Sequence, residues 1–204
     1  MTRLSSLLLW CFAALGLAAC GAEPVWAPDD AVAAAAYHHD GPPSITLITA
    51  VNNRSGEGGH SALLINASQR VMFDPAGTWW HRTVPERNDV LYGMTPTMLS
   101  FYIDYHARST YHLVIQEKEV PPEVAELALA RAEAFGAAPK AFCSRSVSAV
   151  LQGLPGFETI PHSFFPVRTM KAFAKLPGVR TSYVYDDDAD DNKVVLTTQN
   201  ALQP

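Results

Sequence analysis

The sequence predicts an α+β domain with a mostly antiparallel sheet, and three observations carry that prediction. Short apolar runs separated by turn residues, ITLITAV (45–51), SALLI (61–65) and RVMFD (70–74), read as buried strands, the last two in hairpin order. Two segments of helical spacing follow, EVAELALARAEAF behind Pro121-Pro122 and FCSRSVSAVLQG (142–153). Strand-like sequence then returns in SYVYDD (182–187) and KVVLTT (193–198), expected to form a closing hairpin. Strands, then helices, then strands is the order of an α+β domain.

The chain divides into a signal peptide (1–19), a lipidated tether (20–43) and a single domain (44–204). Arg3 supplies a positive start and LLLWCFAAL (7–15) an apolar run, which is too short to span a bilayer of roughly 30 Å. The ending Leu17-Ala18-Ala19-Cys20 resembles the bacterial lipobox. That resemblance implies cleavage before Cys20, diacylglycerol and an N-acyl chain such as palmitate on it, and a membrane anchor. Gly21, in place of an aspartate, implies the outer membrane, with the domain facing the periplasm of the cell envelope.

Removing nineteen of the 204 residues leaves 185, enough for one domain with a real core. One basic residue leaves with the signal, so 14 bases face 20 acids, a formal charge of −6. No basic cluster suggests nucleic acid, and the acidic balance argues against electrostatic docking to anionic head groups. Of three cysteines, Cys11 leaves with the signal and Cys20 is the lipidation candidate. Cys143 alone remains, so the mature domain has no intramolecular disulfide. A single thiol in an oxidising compartment is either buried or kept for its reactivity.

In chain order, 21–43 is alanine-rich between proline and glycine and reads as the tether, with a helical turn or two. NNRSGEGG (52–59) is a glycine-bearing loop, and PAGTWWHRTVPERNDVLYG (75–93) is an aromatic loop. PTMLSFYIDYHA (96–107) has helical spacing behind Thr95 as a cap, and TYHLVIQE (110–117) alternates as a strand. Gly136 and Gly153 end the two helices that follow, and Pro166 to Lys175 is a candidate third.

Cys143 falls at a helix start, where free N–H groups and the helix dipole lower a thiol's pKa and stabilise an oxyanion. The competing reading packs it as a small core residue beside Phe142. His60 heads a strand behind Gly58-Gly59, a flexible approach from which a base reaches the thiol; otherwise it is a solvated strand-end histidine. Asp74 is the candidate to orient that imidazole. With a three-residue turn (Ala67 to Gln69), Asn66 faces Arg70 and Asp74 shares a face with His60. A two- or four-residue turn points Asp74 away, leaving it a turn residue before Pro75.

GGHSALLI, VMFDPAG and FCSRSVSAVL together resemble the circularly permuted NlpC-type cysteine hydrolases, a papain-like superfamily that includes the lecithin:retinol acyltransferase-like group. His60 precedes Cys143 by 83 residues, as permutation requires. The resemblance implies a papain-like fold, with Cys143 as nucleophile, His60 as base and Asp74 as orienting residue. It also implies a substrate that is a cell-wall peptide or a lipid acyl group. Two departures stand out: Phe142 where the family often has Asp or Asn, and Arg145 where unpermuted members usually have glycine.

Other polar clusters read as structural. His38, His39 and Asp40 form a solvated pair and neighbour, and no zinc spacing accompanies them. Asp186 to Asn192 alternates carboxylates but lacks the central glycine and final glutamate of a calcium loop. Trp79, Trp80 and His81 either line a groove or pack. His106, His112 and His162 read as structural or surface residues, with His162 the substitute if His60 is not the working histidine. No metal or cofactor is expected. Two functions remain: an envelope cysteine hydrolase or acyltransferase, or a non-catalytic lipoprotein using the same fold for binding or assembly.

Overall fold

The computed structural model describes residues 22–202. The expected signal peptide and the lipidation candidate Cys20 lie outside the described residues. Seven strands form one antiparallel sheet: β1 (Ser44–Asn52), β2 (Gly58–Asn66), β3 (Arg70–Phe73), β4 (Glu86–Arg87), β5 (Val90–Tyr92), β6 (Tyr111–Glu119) and β7 (Arg180–Val184). Their order across the sheet is β4-β5-β3-β2-β1-β6-β7. The described helices are α1 (Asp29–Ala35), α2 (Pro96–His106), α3 (Pro122–Glu133), α4 (Cys143–Gln152), α5 (Pro166–Phe173) and α6 (Asn192–Ala201). The fold is α+β, as the sequence predicts.

The central strands are buried on both faces, which is why β1 and β2 read as near-continuous apolar runs. One core takes Ile45, Leu47, Leu63 and Ile65 from the sheet and packs them under α3, α4 and α5. The other takes Ile48, Ala50, Ala62 and Leu64, the residues of opposite parity, and packs them under α2 and α6. Cys143 therefore arrives from one helical layer, while His60, Tyr102 and His106 belong to the other.

Three segments differ from expectation. Residues 193–198 are not a strand but lie within α6, whose start is capped by the Asp191 carboxylate accepting from the Val194 N–H (3.1 Å). Val195 and Leu196 then pack on the second core, so tertiary burial overrides the β-branched composition. The closing hairpin is thus a strand followed by a helix. The 75–93 loop contains the β4–β5 hairpin, turned at Asn88 and Asp89 in the left-handed region (φ 44° and 68°). Finally, the described part of the tether is docked. Trp26 bridges to Arg87, whose guanidinium lies 4.7 Å over the indole, and the Tyr37 carbonyl accepts from the Arg70 N–H at 2.8 Å. The domain's surface thus begins well before residue 44.

Candidate active site

β2 delivers His60 through a β-bulge. His60 pairs with Ala50 and Gly58 with Val51, leaving Gly59 as the extra residue. The two glycines are there for close approach rather than flexibility. A Cβ on Gly58 would sit 2.5 Å from the Pro166 Cβ, and one on Gly59 would sit 2.7 Å from the Tyr111 ring. The loop before His60 is pressed between α5 and β6, so the histidine leaves the sheet in one direction.

The β2–β3 turn is the three-residue one. Asn66 pairs with Arg70 and Leu63 with Phe73, so Asp74 comes off β3 on the His60 side. His60 Nε2–H donates to Asp74 Oδ1 at 2.6 Å, and the Tyr102 hydroxyl donates to the same oxygen at 2.8 Å. The Asp74 N–H donates to the Asp89 carbonyl at 2.8 Å. Gly77 folds over the carboxylate so closely that any Cβ there would overlap it. Gly77→Ala is expected to push Asp74 off His60 and slow Cys143 alkylation at pH 6 about tenfold, with the far-UV circular dichroism unchanged.

Cys143 is the first residue of α4, and the Phe142 side chain gives no cap. The opening amides of the helix are therefore not consumed by a side chain. His60 and the Ser61 and Ser144 amides lie near enough to the Cys143 sulfur to favour its charged form. Since Nε2 is taken by Asp74, Nδ1 is the ring nitrogen left for the thiol. The His60 ring thus links the Asp74 carboxylate to the Cys143 sulfur.

The electrostatics follow from those contacts. Burial alone pulls the His60 imidazolium down, but the charge and hydrogen bond of Asp74, with Cys143 adding, push it up to about 10. Burial raises the Cys143 thiol, yet the His60 hydrogen bond and charge and the two amides bring it below its ordinary value. Burial raises Asp74 too, and His60, His106 and the Tyr102 hydroxyl outweigh it and hold the carboxyl below the usual range. These shifts favour a thiolate beside an imidazolium over the neutral pair.

Two residues of this cluster escaped the sequence reading. Tyr102, 1% exposed, holds Asp74. His106, read there as structural or surface, stacks on His60 with centroids 5.5 Å apart and planes 8° apart. Its Nδ1–H donates to the Tyr102 carbonyl at 2.8 Å, which leaves Nε2 as an acceptor. Burial and the neighbouring His60 charge lower it to about 4 despite Asp74, so it is neutral at pH 7. Tyr102 and His106 lie four residues apart and share a face of α2.

Asp89 ties the two halves together. Its carboxylate accepts from the Ala138 N–H at 2.7 Å, and its carbonyl accepts from the Asp74 N–H. The first anchors the loop before Cys143, which turns through Ala141 at φ 66°; the second holds the backbone at Asp74 itself. Asp89→Ala strands the Ala138 N–H and is expected to cost roughly 1–3 kcal/mol in urea unfolding, with Asp89→Asn retaining more.

The other sequence candidates lie elsewhere or are already engaged. His162 is exposed. Trp79 is buried, with its indole N–H donating to Gln199 Oε1 at 3.0 Å, and Trp80 is exposed. Asp188 and Asp190 bind Arg108, Ser109 and Thr110, and His39 lies by the Tyr37 hydroxyl. His60, Asp74 and His106 bring three possible metal-ligand atoms within 4.8 Å of one another. A cation there would displace the His60–Asp74 bond, and His106 offers only Nε2. A cavity of about 500 Å³ opens beside His60, with His106, Thr78, Tyr105, Tyr111 and Arg108 in its wall. No family model, curated protein or solved structure matches the chain.

Proposed function

We propose that this chain is a cysteine hydrolase or acyltransferase of the permuted NlpC type, acting on an amide or ester bond in the bacterial envelope. The observation that carries the reading is the His60–Asp74 hydrogen bond at 2.6 Å, with His60 beside a Cys143 that opens an uncapped helix. A thiolate so held attacks a carbonyl carbon, and the carbonyl π electrons move to oxygen. The backbone N–H of Cys143 stabilises that oxyanion. On collapse, His60 Nδ1–H gives its proton to the leaving nitrogen or oxygen, and a thioester remains on Cys143. His60, now neutral, takes a proton from water or from an acceptor hydroxyl or amine, which attacks the thioester and restores the thiolate.

Tyr102 stays protonated throughout, because burial and Asp74 raise it well above its ordinary value; it holds Asp74 as a permanent donor. The cavity beside His60 gives the leaving group or the acyl acceptor a place to sit. Cell-wall peptides and lipid acyl groups are the substrate classes, and an acylated Cys20 would hold the enzyme at the outer membrane.

One observation favours the second reading, a binding lipoprotein: Cys143 is only 7% exposed. Intact mass spectrometry separates the two. Incubation with activated esters and thioesters is expected to add one acyl mass at Cys143, absent in Cys143→Ala and cleared on standing. A chain that takes up acyl groups only when denatured overturns the enzymatic reading.

A further inference from the structure

The chain's net charge conceals a local one. Residues 141–179 carry Arg145, Arg168, Lys171 and Lys175 against a single carboxylate, Glu158. All four cations are exposed, and none is ion-paired with a described residue. Exposed aromatic rings are interleaved with them. Phe165 is 70% exposed, Phe164 49% and Phe142 36%, on a domain whose other phenylalanines are mostly buried. Phe142 and Phe164 meet edge to face at 5.1 Å, and the Arg145 guanidinium lies 5.3 Å over the Phe164 ring. Phe165 continues the surface into a groove along α5, which it shares with Val167, Arg168, Lys171, Ala172 and Lys175.

Nothing in the fold requires these rings outside. Exposed phenylalanines beside unpaired cations have the composition of a surface that enters the head-group region of a bilayer. The N-terminal segment points the same way. Glu23 pairs with Lys140 at 3.2 Å, two residues before Phe142. Cys20 lies three residues before Glu23, a span of at most about 10 Å. Lipidation at Cys20 would therefore tether the chain within reach of this face.

We propose that the Phe142–Phe164–Phe165 face, with Arg145, Arg168, Lys171 and Lys175, seats on an anionic phospholipid bilayer and turns the start of α4 toward it. The orientation argument rests on the lipidation reading of Cys20; the charge and aromatic arguments do not. An acidic protein is the other occupant for such cations, but it gives no role to three solvent-facing phenylalanines.

The test uses residues 22–204, which contain the whole sheet and both cores and carry no anchor. Vesicle co-sedimentation is measured on phosphatidylcholine alone and on equal parts phosphatidylcholine and phosphatidylglycerol. Binding is expected only to the anionic vesicles, and weaker at high salt. At about fivefold per basic group, Lys171→Glu with Lys175→Glu is expected to weaken it at least 25-fold. Phe164→Ser with Phe165→Ser is expected to weaken it at unchanged charge. Cys143→Ser is expected to bind as wild type, so the result stands apart from the catalytic reading. Absence of binding to anionic vesicles overturns the proposal. So does binding that soluble polyglutamate abolishes and the phenylalanine variant leaves intact, which assigns the face to an acidic macromolecule.

Discussion

His60→Ala is expected to slow iodoacetamide alkylation of Cys143 at pH 6 on the order of 100-fold. A thiol with an ordinary pKa near 8.5 is about 0.3% ionised at that pH, whereas a thiolate paired with imidazolium is almost fully ionised. Removing the ring takes away the two largest influences that lower the Cys143 thiol, its hydrogen bond and its charge, and leaves burial to raise it. The wild-type rate is expected to stay nearly flat from neutrality to well below pH 7. The variant should rise tenfold per pH unit through that range. Since Cys143 is buried, the absolute rates include an access factor, and the pH profile is the diagnostic quantity. Intact mass against time, from pH 4 to 9, reads both. A wild-type profile that climbs with the variant's slope would remove the thiolate–imidazolium pair, and the proposed mechanism with it.

How far the site was legible differs from residue to residue. Cys143 at a helix start and His60 at a strand start are local facts of sequence, and both elements formed where the pattern placed them. Asp74 depended on one number, the length of the β2–β3 turn. Nothing in Asn66-Ala67-Ser68-Gln69 distinguishes two, three or four residues, whereas the fold decides it by pairing Asn66 with Arg70. His106 and Tyr102 were harder. Their helix carries apolar and aromatic residues on several sides, so no face marked itself as the one that meets His60. The glycines before His60 were visible, but their reason was not, because Pro166 and Tyr111 approach from distant parts of the chain. Phe142 misled in another way, as the neighbour of a packed Cys143 and as a departure from the family pattern. It leaves the helix amides uncapped and projects from the surface. The error at 193–198 had a local remedy, since Asp191 ahead of Asn192-Lys193-Val194 is a helix-capping signal.

The site should also write itself into the pH dependence of stability. His60 has its pKa raised to about 10, so its contribution is fully present below the unfolded value near 6.5 and is lost as pH rises through 10. Cys143 is depressed, so its contribution is present above about 8.5 and is lost as pH falls through the folded value. With Cys143 ionised in the fold, they leave a plateau between about pH 6.5 and 8.5, where folded and unfolded pairs each hold one proton. Above it stability falls, because the folded pair keeps a proton that the unfolded chain has released. Below it stability falls again, and His106 steepens that limb. Its folded pKa of about 4 means the unfolded chain takes up a proton near 6.5 that the folded site refuses. Asp74, depressed as well, loses its contribution only at more acid pH. One proton is worth about 1.4 kcal/mol per pH unit. His106→Gln is therefore expected to remove about that much from the slope between pH 6.5 and 4, measured by urea unfolding. Carboxylates elsewhere titrate identically in both proteins and cancel. Asp74→Ala is expected to cost about 3–5 kcal/mol at pH 7, because it strands a buried imidazolium. An acid limb with the same slope in wild type and His106→Gln would mean that His106 is solvated and plays no part in holding the His60 ring.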